Sequence, residues 1–283
     1  MHHIFATSAQ REENGNVLRV TGEDYHHMVH VLRMKAGEEL SVSFTDEMPA
    51  GSGQPETPEI RPGDHAEYRF GIEDITEDAV ICRLRFVKRD TAELPVRVIL
   101  LQGLPKGDKM EQIIEKNTEL GVSEIVPVAL KRCVVKLDEK KAASRVARWN
   151  KIAQSAAKQA RRGVIPEVTR VMTLKEALSY AGDADCRLIP YELLAEGAFA
   201  ENPKEPSAAA EQTESGMPRT RRLLEGIAAG QSVAVLIGPE GGFTEEEVAL
   251  SREAGFHPVS LGGRILRTET AGMTVMAWIA YRF

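Results

Sequence analysis

Two short stretches near the C-terminal end carry the residue types from which a ligand pocket could be built. The first is Leu236-Ile237-Gly238-Pro239-Glu240-Gly241-Gly242-Phe243, reached through the apolar run Val233–Ile237 and followed by Thr244. The second is Leu261-Gly262-Gly263-Arg264-Ile265-Leu266-Arg267-Thr268-Glu269-Thr270-Ala271. Glycines between a strand and a helix let backbone amides approach a ligand closely. A phosphate-binding loop would carry Lys with Ser or Thr. The first stretch carries Glu240 instead, and a carboxylate repels phosphate. It suits a ligand with hydroxyls, an amine or a positive centre, a description that S-adenosylmethionine meets without any phosphate. Taken alone, the first stretch also reads as a plain β–α turn whose glycines are there for steric reasons.

In the second stretch Glu269 is unremarkable, because acids are favoured at helix N-termini. Arg267 is placed against that preference, at a cost of a few tenths to about 1 kcal/mol. It calls for a partner, and Glu269, Glu240 or an anionic ligand are the candidates. His26, His27 and His30 have a spacing that could hold a metal, but no cysteine or carboxylate set completes the site, so no metal is expected. The three cysteines, Cys82, Cys133 and Cys186, are far apart. They read as reduced, mostly buried thiols of a cytosolic protein.

These residues need elements to position them. Residues 1–90 read as a small β-rich unit. Leu40, Val42 and Phe44 alternate with polar neighbours as in a half-buried strand. Phe70–Ile75 and Ala79–Val87 form a hairpin about Thr76-Glu77-Asp78, and Asp24–Arg33 is helical. Glu47–Gly63, rich in Pro and Gly, reads as a loop. From residue 91 onward strands and helices alternate, which signals an α/β sheet. Strands are expected at Val96–Gln102, Glu124–Leu130, Cys186–Tyr191, Ser232–Gly238 and His257–Leu261. Helices are expected at Asp108–Leu120, stopped by Gly121, at Asp138–Arg162, from Thr244 with Glu247 as a capping box, and at Thr268–Phe283. The last is apolar nearly all round, as in a helix buried on several sides or at a subunit interface, and Met273 and Met276 read as packing residues. Ala195–Met217, without periodicity, reads as a disordered insertion.

The 283 residues carry a formal net charge of −6, which argues against indiscriminate coating of nucleic acid. Charge is nevertheless concentrated locally. Residues 131–162 hold eleven Lys or Arg against the two acids Asp138 and Glu139. In the long helix Val146, Trp149, Ala153, Ala156 and Ala160 form an apolar stripe, with Arg148, Lys151, Lys158 and Arg162 roughly opposite. Such a surplus fits contact with a polyanion at one place. No apolar run approaches the roughly 20 residues that span a bilayer, and the N-terminus lacks signal-peptide character, so a cytoplasmic location without membrane attachment is expected.

The two glycine-rich motifs together resemble the C-terminal signature of the ribosomal RNA uridine-N3 methyltransferases of the SPOUT superfamily. Agreement extends to Lys116-Asn117-Thr118-Glu119-Leu120-Gly121-Val122, Ile125-Val126-Pro127, Arg132, Gln159 through Arg162 to Pro166, and His26-His27 with Val31-Leu32-Arg33. The resemblance covers nearly the whole chain; the insertion at 195–217 departs from it. It implies a small N-terminal PUA-like β-barrel (1–90) that binds RNA and a methyltransferase domain (91–283) with a C-terminal trefoil knot. It also implies a homodimer acting on 16S ribosomal RNA of the small ribosomal subunit. S-adenosyl-L-methionine would be held by Leu236, Ile237, Gly238, Glu240, Gly241, Gly242, Leu261, Gly262, Ile265, Leu266, Arg267 and Thr270. For the chemistry, Arg264 or Arg267 would stabilise the uridine anion, and Glu269 would accept the proton or orient that arginine. Arg33, Lys116, Arg132, Arg148, Lys151, Lys158 and Arg162 are the RNA-contact candidates. Three rivals remain: a SPOUT enzyme for tRNA or ribose 2′-oxygen, a non-catalytic ribosome-assembly factor, and a nucleotide-dependent enzyme. The last is disfavoured by the absence of GxGxxG or Walker-type loops.

Overall fold

The computed structural model describes residues 2–12, 16–45, 66–88, 92–191 and 216–283. The expected loop at 47–63 lies outside them, as does most of 195–217. The chain divides into two compact units, Met1–Glu93 with Ala157–Ile165, and Leu94–Ala156 with Pro166–Phe283.

The first unit is a six-stranded sheet of β1 (His2–Ala6), β2 (Arg11–Glu12), β3 (Val17–Val20), β4 (Glu39–Phe44), β5 (Glu67–Ile75) and β6 (Val80–Lys88), with helix α1 (Gly22–His26). Its order is β1-β4-β5-β6-β3-β2. Only β1 and β4 run parallel; the other neighbours are antiparallel. The hairpin forms as expected, and the Thr76 hydroxyl closes its turn on Asp78 and Ala79. Strand β4 departs from simple alternation. Leu40, Ser41, Val42 and Ser43 are all buried, because both faces are covered. Ser41 is satisfied there by His3 and Glu67. The helical stretch expected over Asp24–Arg33 forms two residues earlier: α1 continues directly into a π-helical turn, His27–Val31, and the run is closed by Arg33 with φ +55°. His26 and His30 pack ring on ring within it.

The second unit holds a parallel sheet of β7 (Arg97–Gly103), β8 (Glu124–Ala129), β9 (Glu167–Val168), β10 (Met172–Thr173), β11 (Cys186–Pro190), β12 (Ser232–Ile237) and β13 (His257–Val259). Its order is β10-β8-β7-β12-β11-β13, with β9 also against β8. The helices are α2 (Lys109–Glu119), α3 (Glu139–Ala160), α4 (Leu174–Tyr180), α5 (Met217–Glu225), α6 (Glu245–Glu253) and α7 (Thr268–Arg282). The central strands are apolar and β-branched because both faces are covered; Val98, Leu100, Val126, Val233 and Leu236 are fully buried. Gly121 ends the α2 segment at φ +95°, as a left-handed C-terminal stop should. The Thr244–Glu247 capping box forms at α6. Met217 is the first residue of α5, capped by Gly216, so that end of the presumed insertion is ordered helix.

Candidate active site

All strands of the second unit point the same way, so the loops that follow them gather at one edge of the sheet, where ligands bind in open α/β sheets. There a cavity of about 510 Å3 opens. Its lining includes Gly238–Phe243 after β12, Ser260–Thr268 after β13, Pro190 at the end of β11 with Tyr191 after it, and Lys109. The two glycine-rich stretches therefore face one space, which falls in the range of about 300–1,000 Å3 usual for small-ligand pockets.

Of the residues expected to hold a ligand, Ile237, Gly238, Glu240, Gly241, Gly242, Leu261, Gly262, Ile265, Leu266 and Arg267 line this cavity. Leu236 and Thr270 do not. Leu236 is fully buried within the sheet, so its side chain belongs to the core. Thr270 lies inside the first turn of α7, where its carbonyl accepts from Thr274. Gly242 and Gly262 have φ of +66° and +103°, a region closed to most side chains. At Gly241 a Cβ would stand 3.0 Å from Cβ of Arg132, so the loop backbone runs against that residue.

The charged groups are arranged differently from the sequence reading. Arg267 forms no ion pair with Glu240 or Glu269. Lys109 takes both: its Nζ lies 3.2 Å from Glu240 and 3.1 Å from Glu269. The hydrogen bonds to Glu269 and then Glu240 push the ammonium's pKa upward, so Lys109 is protonated near neutrality. For Glu240, partial burial opposes its charge. Hydrogen bonds from its own amide, from the Lys106 amide and from Lys109 outweigh that, and its carboxyl sits below the usual range. Sequence reasoning missed Lys109, which lies far from both motifs in the chain. The only signal was a lysine at the start of a helix that reaches the same sheet edge. Arg264 and Arg267 line the cavity with exposed side chains, and among the described residues neither has an ion-pair partner. Burial pushes the Cys82 thiol up to about 12 and the Cys186 thiol to about 11, so neither offers a nucleophile.

The RNA-contact candidates divide. Arg162 is 3% exposed and its guanidinium is held by Glu93 at 2.6 Å, with the Gly163 amide on the same carboxylate. It is a structural cation, which corrects the surface reading. The exposed-face picture of the helix holds for Arg148 and Lys151 and fails near its end. Lys158 pairs with Asp24 at 2.7 Å, Arg148 with Glu111, and Lys116 with Glu115 and Glu119. Arg132 donates to the Gly241 carbonyl at 3.0 Å and so backs the first glycine loop. Arg33 and Lys151 are exposed.

Fold and site define an α/β protein with a cavity of small-ligand size at the carboxyl edge of a parallel sheet. The RNA methyltransferase domain family matches residues 92–280, and the RNA methyltransferase PUA domain family matches residues 20–47. The chain is 33% identical to ribosomal RNA small subunit methyltransferase E of Bacillus subtilis, over 99% of this chain and 96% of that one. It is 28% identical to the protein of the same name from Mycobacterium tuberculosis, over 93% and 86%. The crystal structure of ribosomal RNA small subunit methyltransferase E from Neisseria gonorrhoeae, bound to S-adenosyl methionine, superposes with a TM-score of 0.71 at 25% identity, over 98% of this chain and 95% of that one. This chain belongs to the ribosomal RNA small subunit methyltransferase E family.

Proposed function

We propose that the chain transfers a methyl group from S-adenosylmethionine to N3 of a uridine in 16S ribosomal RNA. The observation that carries this reading is the single cavity lined by both glycine-rich motifs. It has an apolar lining in Ile237, Phe243, Leu261 and Leu266 and one lining carboxylate, Glu240. Glu269 does not line it and is tied to it through Lys109, and the sequence holds no Walker-type phosphate loop. That donor set fits a ligand with a sulfonium, an amine and ribose hydroxyls. When bound, S-adenosylmethionine supplies an electrophilic methyl group. Glu240 stays ionised beside it through Lys109. Arg264 and Arg267 stabilise the negative charge that N3 deprotonation spreads onto O2 and O4, and Glu269 receives the proton. Pre-orientation of the two partners contributes several kcal/mol more.

The PUA family match at residues 20–47 and the mixed sheet support an RNA-binding, PUA-like barrel in the N-terminal part. The C-terminal part is read as a SPOUT domain with a trefoil knot. A cytoplasmic homodimer follows from the same reading. It is supported by α7, which buries Ala271, Val275, Met276 and Ile279 yet leaves Tyr281 92% exposed beside a half-buried Trp278. Of the seven RNA-contact candidates, the three that no carboxylate bridges among the described residues, Arg33, Arg132 and Lys151, are the proposed phosphate contacts.

The direct test is mass spectrometry of nucleosides from 16S RNA of a strain lacking the gene. Loss of 3-methyluridine, restored by the wild-type chain, is expected; undiminished 3-methyluridine would sink the proposal. Alanine at Arg264, Arg267 or Glu269 is expected to cut turnover by about 10²–10³ while calorimetry still detects donor binding.

A further inference from the structure

The end of β7 and the start of α2 belong to neither glycine-rich motif, yet they touch both. Gln102 is fully buried and lies in register with Ile237, the last residue of β12 before the first glycine loop. Its Nε2 donates to the Thr268 hydroxyl at 2.9 Å. That hydroxyl, having accepted one bond, donates its own proton to the Gly238 carbonyl at 2.6 Å. A hydroxyl has a single proton, so the direction of this relay is fixed. The relay ties the first residue of α7 to the first residue of the opposite loop. Next along the chain, a Cβ on Gly103 would come within 2.8 Å of Pro239, so only glycine lets β7 approach the loop this closely. The Lys106 amide then donates to Glu240 at 3.1 Å, and Lys109 bridges Glu240 and Glu269. The two loops are thus joined twice, once by a buried neutral relay and once by the charged bridge through Lys109. A buried amide on a core strand is costly unless its bonds are used; here Nε2 donates to Thr268 and to the Gly103 carbonyl, while Oε1 has no partner among the described residues.

We propose that residues 102–109 form a latch that sets the gap between the two glycine-rich loops, with Gln102, Gly103 and Lys109 as positioning residues for the methyl donor. The latch rests on the donor reading above. It acts on the width and rigidity of the pocket, so its loss falls mainly on donor affinity.

The test uses the full chain and S-adenosylmethionine itself, by calorimetry and by steady-state kinetics on ribosomal RNA. Thr268→Val keeps the volume and removes both bonds of the relay; Thr268→Ser keeps the hydroxyl. Gln102→Met removes the first relay bond together with the bond from Nε2 to the Gly103 carbonyl, and leaves the second relay bond in place. Thr268→Val is expected to raise the donor Kd about tenfold, equivalent to about 1.4 kcal/mol, with the larger kinetic loss in KM. Thr268→Ser should stay within about twofold of wild type, and Gln102→Met should fall between them. If Thr268→Val does not fold, Gln102→Met against Thr268→Ser decides the matter. Folded variants that bind the donor as tightly as wild type overturn the latch alone. A wild-type chain that takes up no S-adenosylmethionine overturns the donor reading and the latch with it.

Discussion

Arg162 shows how far residue type alone can mislead. In the sequence it is one of eleven cations in a basic stretch and reads as a phosphate contact. In the fold its side chain and that of Glu93 are 3% and 8% exposed. Removing one partner of such a pair leaves the other charge buried without its counter-ion, at about 3–5 kcal/mol. Arg162→Ala is therefore expected to lose roughly that much stability in chemical denaturation. A variant as stable as wild type would show that the pair contributes nothing. Charge density is legible in a sequence, whereas ion-pair partners are set by tertiary contacts. Glu93 lies 69 residues from Arg162, and Lys109 lies 160 from Glu269. For the same reason the expected pairing of Arg267 was not found: Lys109, brought in by α2, reaches both carboxylates.

At the scale of elements, the glycine-rich loops depend on particular backbone conformations as well as on small size. Gly262 has φ +103° while Gly263 has no such constraint, and a Cβ on either meets nothing within 4 Å. Gly262→Ala is thus strained by conformation alone, at about 1–2 kcal/mol, whereas Gly263→Ala is expected to leave the melting temperature essentially unchanged. Equal melting temperatures for the two variants would contradict this account. Elements with strong local signals were the legible ones. Strands β7, β8 and β12 announce themselves as apolar, β-branched runs, and α6 by its capping box. The short strands β9 and β10 were missed because two residues carry no period, and β1 because its partner is β4, far along the chain. Helix α4 carries a capping box of its own, Thr173 with Glu176, a local signal present in the sequence. The convergence of the two motifs on one cavity was anticipated from their chemistry. The latch from β7 was not, since its contacts are long-range.

For the whole molecule, recognition of RNA by a chain of net charge −6 depends on cations that are not already neutralised. Of the seven candidate contacts, Lys116, Arg148, Lys158 and Arg162 face carboxylates. Arg132 donates to a neutral carbonyl, and among the described residues Arg33 and Lys151 form no ion pair. A cation already bridged to a carboxylate brings little net charge to a phosphate and must break its bridge to do so. Each phosphate neutralised on single-stranded RNA lowers the slope of log affinity against log salt by about 0.7. Three unbridged cations therefore give a slope of about −2, whereas all seven acting together would give about −5. Titration of a 16S RNA fragment at roughly 0.05–0.2 M salt distinguishes these values. Arg33→Ala, Arg132→Ala or Lys151→Ala should each make the slope shallower by about 0.7, and Arg162→Ala should leave it unchanged in the fraction that remains folded. A slope near −5 would mean that the carboxylate bridges open on binding, and the acidic partners Glu115, Glu119, Glu111, Asp24 and Glu93 would then become part of the RNA energetics.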